Sequence, residues 1–198
     1  MRTKTTRDRI VEAADRLFYE QGYEQTSFSD VADAVGLARG NFYHHFKSKD
    51  EMLDAVIKLR LINTQKMLEL WEIEGRNPED RIRSFIHILI ANRIKIKRHG
   101  CPVGTLCSEL AKLGHPSQGE ARRLFTLFRT WLRRQFTLLG RKADANDLAM
   151  HLLARSQGVA TLANAFHDEK FIKQEVTLMC DWLSSCAEIP SQAKSDAD

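Results

Sequence analysis

The chain has 198 residues, of which 43% are hydrophobic and 28% charged, with a formal net charge of +4. That suits a globular protein of one large domain or two small ones, able to bury a core without staples. Its longest apolar runs, such as FIHILIA, fall far short of the roughly 20 residues of a membrane span, and the N-terminus lacks the apolar stretch of a secretory signal. None of Cys101, Cys107, Cys180 and Cys186 stands in a C-x-x-C pair, which points to reduced thiols in a cytoplasmic chain and away from a zinc site.

Apolar residues recur at helical spacing throughout, so the expected class is all-α, with about nine helices. The first starts near Thr5, with Asp8 completing a capping-box-like pair, and carries Ile10, Ala14, Leu17 and Phe18 on one face up to Gly22. Ser27 with Asp30 opens a short second helix with Val31, Ala32 and Val35, closed by Gly36. A third covers roughly Ala38 to Phe46, with Val35, Leu37, Phe42 and Phe46 as core. Ser48 with Glu51 opens a long fourth helix running to about Glu74. Pro78 begins a fifth that runs to about Arg98 and carries Ile82, Phe85, Ile86, Leu89 and Ile90. Gly100 breaks it, and Pro102 opens a shorter helix that ends before GHPSQG. Further helices cover about 118–139, 145–166 and 170–187. The tail at 190–198, containing SQAKSDAD, reads as disordered.

The short second and third helices, joined by a Gly-containing turn in ADAVGLARGN, fit a helix-turn-helix. In that geometry the second helix of the pair enters the major groove, and its first residues reach base edges. Here those are Ala38, Arg39, Gly40 and Asn41. Arginine can fork onto guanine and asparagine onto adenine. Gly40 costs a helix about 1 kcal/mol against alanine, which close approach of the backbone to DNA would explain. Tyr43, His44, His45, Lys47 and Lys49 offer donors for phosphates. Acids and bases nearly cancel over the first 50 residues, but the bases gather at the very start and around 39–49. Two adjacent histidines cannot share a helix face, so His44 and His45 do not read as a metal site, and no carboxylate or nucleophile near in sequence makes them an acid–base pair.

The ordered stretch RIVEAADRLFYEQGYEQTSFSDVADAVGLARGNFYHHFKSKDEML resembles the N-terminal domain of the TetR family of bacterial transcriptional repressors. The resemblance implies an all-helical homodimer. Its DNA-binding heads (1–50) would sit on a palindromic double-stranded operator. Its ligand-binding and dimerisation body (51–189) would take a small molecule that releases DNA. It further implies that Ser27 caps the second helix near a phosphate, that Arg39, Gly40, Asn41 and His44 face bases, and that Tyr43, His45 and Lys49 hold phosphates. Ala38 departs from the pattern, since a small hydroxyl residue is frequent there.

In the body, HGCPVGTLCSELAKL and QGVATLANAFHDE resemble a branch of that family with a G-C-x-x-G motif, some members of which sense electrophiles or oxidants through that cysteine. Cys101 also lies just before the helix opened by Pro102 and next to Arg98 and His99, where the helix dipole and the positive charges favour a thiolate. It is the candidate sensor. Cys107 is expected to face the core, and Cys180 and Cys186 have no assigned role. Candidate pocket residues are Trp71, Phe85, His87, Leu89, Phe125, Phe128 and Trp131, although aromatics at helical spacing are more often plain core. The helices at 145–166 and 170–187 offer a four-helix C2 interface through Leu152, Gly158, Val159, Leu162, Met179, Trp182 and Leu183, with Leu178 among the further apolar residues of the last helix. An enzyme built around Cys101 or His87 is the alternative of another class, but no ordered catalytic motif supports it, and an activator of the same family is the alternative within the class, decided by operator position. No cofactor, metal or membrane is expected.

Overall fold

A computed structural model describes residues 4–188, so the tail expected at 190–198 lies outside the described residues. The described part is all helical: α1 (Thr6–Glu20), α2 (Phe28–Val35), α3 (Arg39–Phe42), α4 (Lys49–Glu74), α5 (Pro78–Ala91), α6 (Arg93–His99), α7 (Pro102–Lys112), α8 (Gln118–Leu138), α9 (Ala145–Ala165) and α10 (Glu169–Glu188).

Local chemistry accounts for most of these boundaries. Thr5 and Asp8 form a reciprocal capping box at α1, with bonds of 3.1 and 3.0 Å. Ser27 and Asp30 do the same at α2, at 3.2 and 2.7 Å. Gly36 then ends α2 at φ 68°, in the left-handed region that glycine enters without a Cβ penalty. At α4, Ser48 accepts from the Glu51 amide (3.0 Å), but the Glu51 carboxylate reaches one residue further back, to the Lys47 amide (2.8 Å).

Two elements differ from expectation. The helix expected over Pro78 to Arg98 divides at Asn92, where the backbone leaves helical angles and the side chain donates to the Ile88 carbonyl (3.0 Å). The described residues therefore hold ten helices instead of nine. The third helix stops at Phe42 instead of Phe46. Beyond it, the amides of His44 and His45 bond three residues back, to Asn41 (3.3 Å) and Phe42 (2.9 Å), which tightens the chain into a turn. Phe42 and Phe46, on either side of that turn, are both in the core.

The chain forms two compact units. One holds the residues through Gln65 together with Pro102–Phe125. Its core joins Ile10, Ala14 and Phe18 of α1, Val31 of α2, Phe42, Phe46, the α4 residues Met52, Leu53 and Val56, and Leu106 and Leu110 of α7. Val35, Leu37 and Cys107 pack against it half-buried. Arg60 of α4, only 9% exposed, is matched by Asp15 (2.5 Å) and by the Pro102 carbonyl (2.6 Å), so it is a satisfied buried charge. The other unit holds Lys66–Cys101 and the residues from Thr126 on. There α10 packs on α5 and α9, and α9 packs on α6.

Candidate nucleic-acid interface

Helices α2 and α3, with the turn between them, form the expected helix-turn-helix. The Ser27 cap leaves its residue exposed at the N-terminus of α2. The capping bonds from Ser27 hold the Asp30 carboxyl below its ordinary range. From α1 the Arg9 guanidinium donates to the Val35 carbonyl (3.2 Å) at the C-terminal end of α2.

Arg39 opens α3, and Ala38, Gly40, Asn41 and His44 are exposed around it. A Cβ at Gly40 would meet open space, so nothing within the chain requires glycine there. Tyr43 is half-exposed, with its ring stacked on Phe28 (centroids 5.4 Å, planes 21° apart), and Phe28 meets Phe42 edge-on at 5.1 Å. This aromatic step fixes the direction of Tyr43, and sequence reading missed Phe28. Its place directly after the Ser27 cap was the available signal. Phe28, Ser29, Ala32, Phe42 and Tyr43 line a depression of about 50 Å³. That is far below the roughly 300 Å³ at which ligand pockets begin, so the depression is too small to enclose a ligand of that kind.

His45 is half-buried and Lys47 donates to the Tyr43 carbonyl (2.8 Å). Lys49 is tied inward: its ammonium donates to the carbonyls of Tyr23 (3.1 Å) and Glu24 (3.2 Å) and lies 4.4 Å from the centre of the Tyr23 ring.

The candidate pocket residues separate in the structure. Phe85, Leu89, Phe128 and Trp131 are buried, with Phe85 edge-on to Phe128 (5.6 Å) and Trp71 5.7 Å from Trp131. Phe125 is half-buried. His87 is exposed, its Nδ1 at 2.8 Å from the Arg83 carbonyl of its own helix, so it does not join the buried aromatics. Next to them, Gln135 is fully buried and its amide faces Glu72 (3.3 Å). The Nε1 of Trp131 and the Oε1 of Gln135 are buried with no partner among the described residues.

Cys101 is half-buried and immediately precedes α7, after Gly100 at φ 76°. Burial pushes the Cys180 and Cys186 thiols up. No group of three or more His, Cys, Asp or Glu is placed to hold a metal ion among the described residues. No helix among them is long and apolar enough to cross a membrane.

Of the candidate interface residues on α9 and α10, Leu152, Val159, Met179 and Leu183 are buried within the chain's own core. Gly158 and Leu162 are exposed, and Trp182 is half-exposed between His151 (4.9 Å) and Phe136 (6.1 Å). Met150 on α9, Phe166 at its C-terminal cap and Leu178 on α10 are also exposed, and sequence reading passed over the first two. Both sets recur at helical spacing, so periodicity alone does not say which apolar stripe faces inward.

Residues 10–56 match the family model described as bacterial regulatory proteins, tetR family. Over 181 residues, 89% of this chain and 92% of the relative, the sequence is 28% identical to an uncharacterized HTH-type transcriptional regulator in the lacX 3' region of Lactococcus lactis subsp. lactis. It is 38% identical over 85 residues to the HTH-type transcriptional regulator AcrR of Shigella flexneri, covering 43% of this chain and 39% of AcrR. Among solved structures, a TetR transcriptional regulator from Legionella pneumophila superposes with a TM-score of 0.80 at 23% identity, covering 92% of this chain and 98% of that one. The reduced form of E. coli NemR superposes with a TM-score of 0.76 at 17% identity, covering 94% and 100%. The fold is TetR-like.

Proposed function

Starting from a TetR-like fold whose residues 10–56 match the tetR family model, we propose that the chain is a DNA-binding transcriptional regulator that represses by sitting on a palindromic operator as a homodimer. The observation that carries the reading is the exposed end of α3. Asn41, Tyr43 and His44 project from a helix-turn-helix whose hydrophobic side is buried, with the exposed Ser27 cap beside them. Asn41 then reads a base edge, and Arg39, Gly40 and Ala38 at the start of α3 approach the groove floor. Ser27, Tyr43, His45 and Lys49 position the backbone, Lys49 by way of the turn it holds.

The body receives the signal that releases DNA. The buried aromatics Phe85, Phe128 and Trp131, with Trp71 and Leu89, form the region where a small-molecule effector binds. The unpartnered Trp131 N–H and Gln135 carbonyl supply polar contacts there. Cys101, at the start of α7, is the thiol that an electrophile would modify. Its proximity to Arg98 and His99 in sequence supports that reading. Either event shifts the balance between DNA-competent and released states of the dimer.

The test is selection of a duplex from a random-sequence pool, followed by binding titrations with and without a mild thiol alkylator. Selection of a palindrome, bound with steep salt dependence, supports the regulator. Loss of binding on alkylation, retained binding in Cys101→Ser, supports the thiol route. Binding that is indifferent to alkylation leaves a non-covalent effector. A pool from which nothing is enriched sinks the DNA-binding reading.

A further inference from the structure

The turn between α1 and α2 is held by side chains from elsewhere in the same unit. Glu109 of α7 accepts the Tyr23 amide at Oε2 (2.9 Å) and the Glu24 amide at Oε1 (2.9 Å). Lys49, at the start of α4, donates to the carbonyls of the same two residues. The Tyr23 hydroxyl donates to Asp50 Oδ1 (2.5 Å) and stands 3.2 Å from His115 Nε2, in the turn after α7. His115 Nδ1 accepts the Ser117 amide (3.1 Å). A nitrogen that accepts carries no proton, so the ring proton of the neutral histidine is on Nε2, directed at the tyrosine oxygen.

Gly22 belongs to the same arrangement. At φ +94° it makes the bend, and a Cβ there would come within 3.1 Å of Glu109 Oε1. The glycine thus shapes the turn and admits the carboxylate. Every backbone polar group of Tyr23 and Glu24 named above is taken by a side chain, and Ser27 starts α2 three residues later. A displacement of the turn is therefore a displacement of α2. Bonds from amides to a carboxylate are about twice as strong as neutral ones, which makes Glu109 the strongest single tie on the amide side.

We propose that Glu109 is a positioning residue for DNA recognition: from α7, outside the 10–56 segment, it fixes the α1–α2 turn and so presets the angle at which α2 and its Ser27 cap meet the DNA backbone. The Tyr23–His115 contact is a second tie to the same turn. The inference rests on the DNA-binding reading. Glu109 acts by pre-organisation: without it the turn samples other positions, and the specific complex must order it on binding.

The experiment uses the full chain as wild type, Glu109→Ala, Glu109→Gln and, as control, Glu120→Ala, whose exposed carboxylate pairs with Arg123 of its own helix. Affinities are measured across a salt series for the selected duplex and a scrambled one, with amide exchange followed at Tyr23 and Glu24. Glu109→Ala is expected to lose about tenfold on the selected duplex, with scrambled-duplex affinity and salt slope unchanged. Glu109→Gln falls between, because its amide oxygen still accepts one of the two N–H groups, and the Tyr23 and Glu24 amides exchange faster in both. Should Glu109→Ala be too unstable to purify, Glu109→Gln decides alone. The proposal is overturned if the variants bind the selected duplex as wild type does, if they lose equally on both duplexes, or if the two amides keep wild-type exchange rates. A wild type that prefers no duplex removes the DNA-binding reading and this inference with it. That result is distinct from variants that match a selective wild type.

Discussion

Lys49 carries a lesson about side chains in a short charged segment. The run KSKDE announces donors for phosphates, yet the Lys49 ammonium sits on two backbone carbonyls and a tyrosine ring, while Lys47 stays exposed. Charge patterning says that cations gather; which carbonyl or phosphate each one meets depends on residues 25 positions away, which no local pattern contains. Because it holds the same turn as Glu109, Lys49→Ala is therefore expected to lower the melting temperature and, like Glu109→Ala, binding to the selected duplex. A variant that weakened binding with unchanged melting would place Lys49 on the phosphates alone. The exposure of Asn41 was legible, because a helix-turn-helix sets that position in advance. Asn41→Ala should cost about 1–3 kcal/mol on the selected duplex and relax preference at one base pair in a repeated selection. An unchanged selected sequence would remove Asn41 from base reading. Asp50 gives a pH test. The Tyr23 hydroxyl holds its carboxyl below the ordinary range, with His115 and Lys49 adding to the effect. A depressed carboxyl contributes stability above its unfolded pKa near 3.9, and that contribution is lost as pH falls through the folded value. Urea unfolding from pH 5 down to 3 should thus lose stability less steeply in Asp50→Asn than in wild type, and equal slopes would assign the acid loss to other groups.

At the level of the element, the sequence was most readable where one residue decides. The Thr5–Asp8 and Ser27–Asp30 boxes are local signals with partners three positions apart, and both form as read. The end of α3 and the break at Asn92 were not readable, for different reasons. Nothing between Phe42 and Phe46 breaks a helix, and two phenylalanines four apart share a face of a helix, so the local pattern reads as helix up to Phe46 and holds no signal for the turn that forms there. Asn92 is a weak breaker inside an otherwise continuous apolar pattern, and it leaves helical angles while α6 goes on to pack against α9. The Ser27 cap has two consequences, since it starts α2 and stands at the proposed DNA backbone. Ser27→Ala should cost about 1 kcal/mol of stability and also reduce affinity for every duplex, whereas Ser27→Asp keeps the cap but puts a negative charge there. Wild-type stability with lost binding in Ser27→Asp, measured by thermal melting and titration, is the expected pair. Retained binding would move the phosphate away from this helix end.

The whole molecule poses the question of what covers α9 and α10. Leu152, Val159, Met179 and Leu183, which helical spacing offered as an interface, fill the core of their own unit, so they are unavailable to a second copy. What remains outward is Phe166 at 74% exposure, Leu178 at 51%, Leu162 at 45% and Met150 at 41%, with Gly158 open beside them and space where its Cβ would be. Burying large side chains of this kind is worth about 1.5–3 kcal/mol each, and a palindromic operator needs two heads at fixed spacing. The proposed homodimer therefore uses this outer stripe. Phe166→Glu and Leu178→Glu should sediment as monomers, keep the wild-type melting behaviour of the single chain, and bind the selected palindrome much more weakly. Leu152→Ala, by contrast, should destabilise the fold itself by about 2–5 kcal/mol, because it opens a cavity in the core. The two kinds of variant separate the inward stripe from the outward one. If Phe166→Glu and Leu178→Glu both sediment as wild type does, the assembly lies on another face, and the head spacing has to be sought from there.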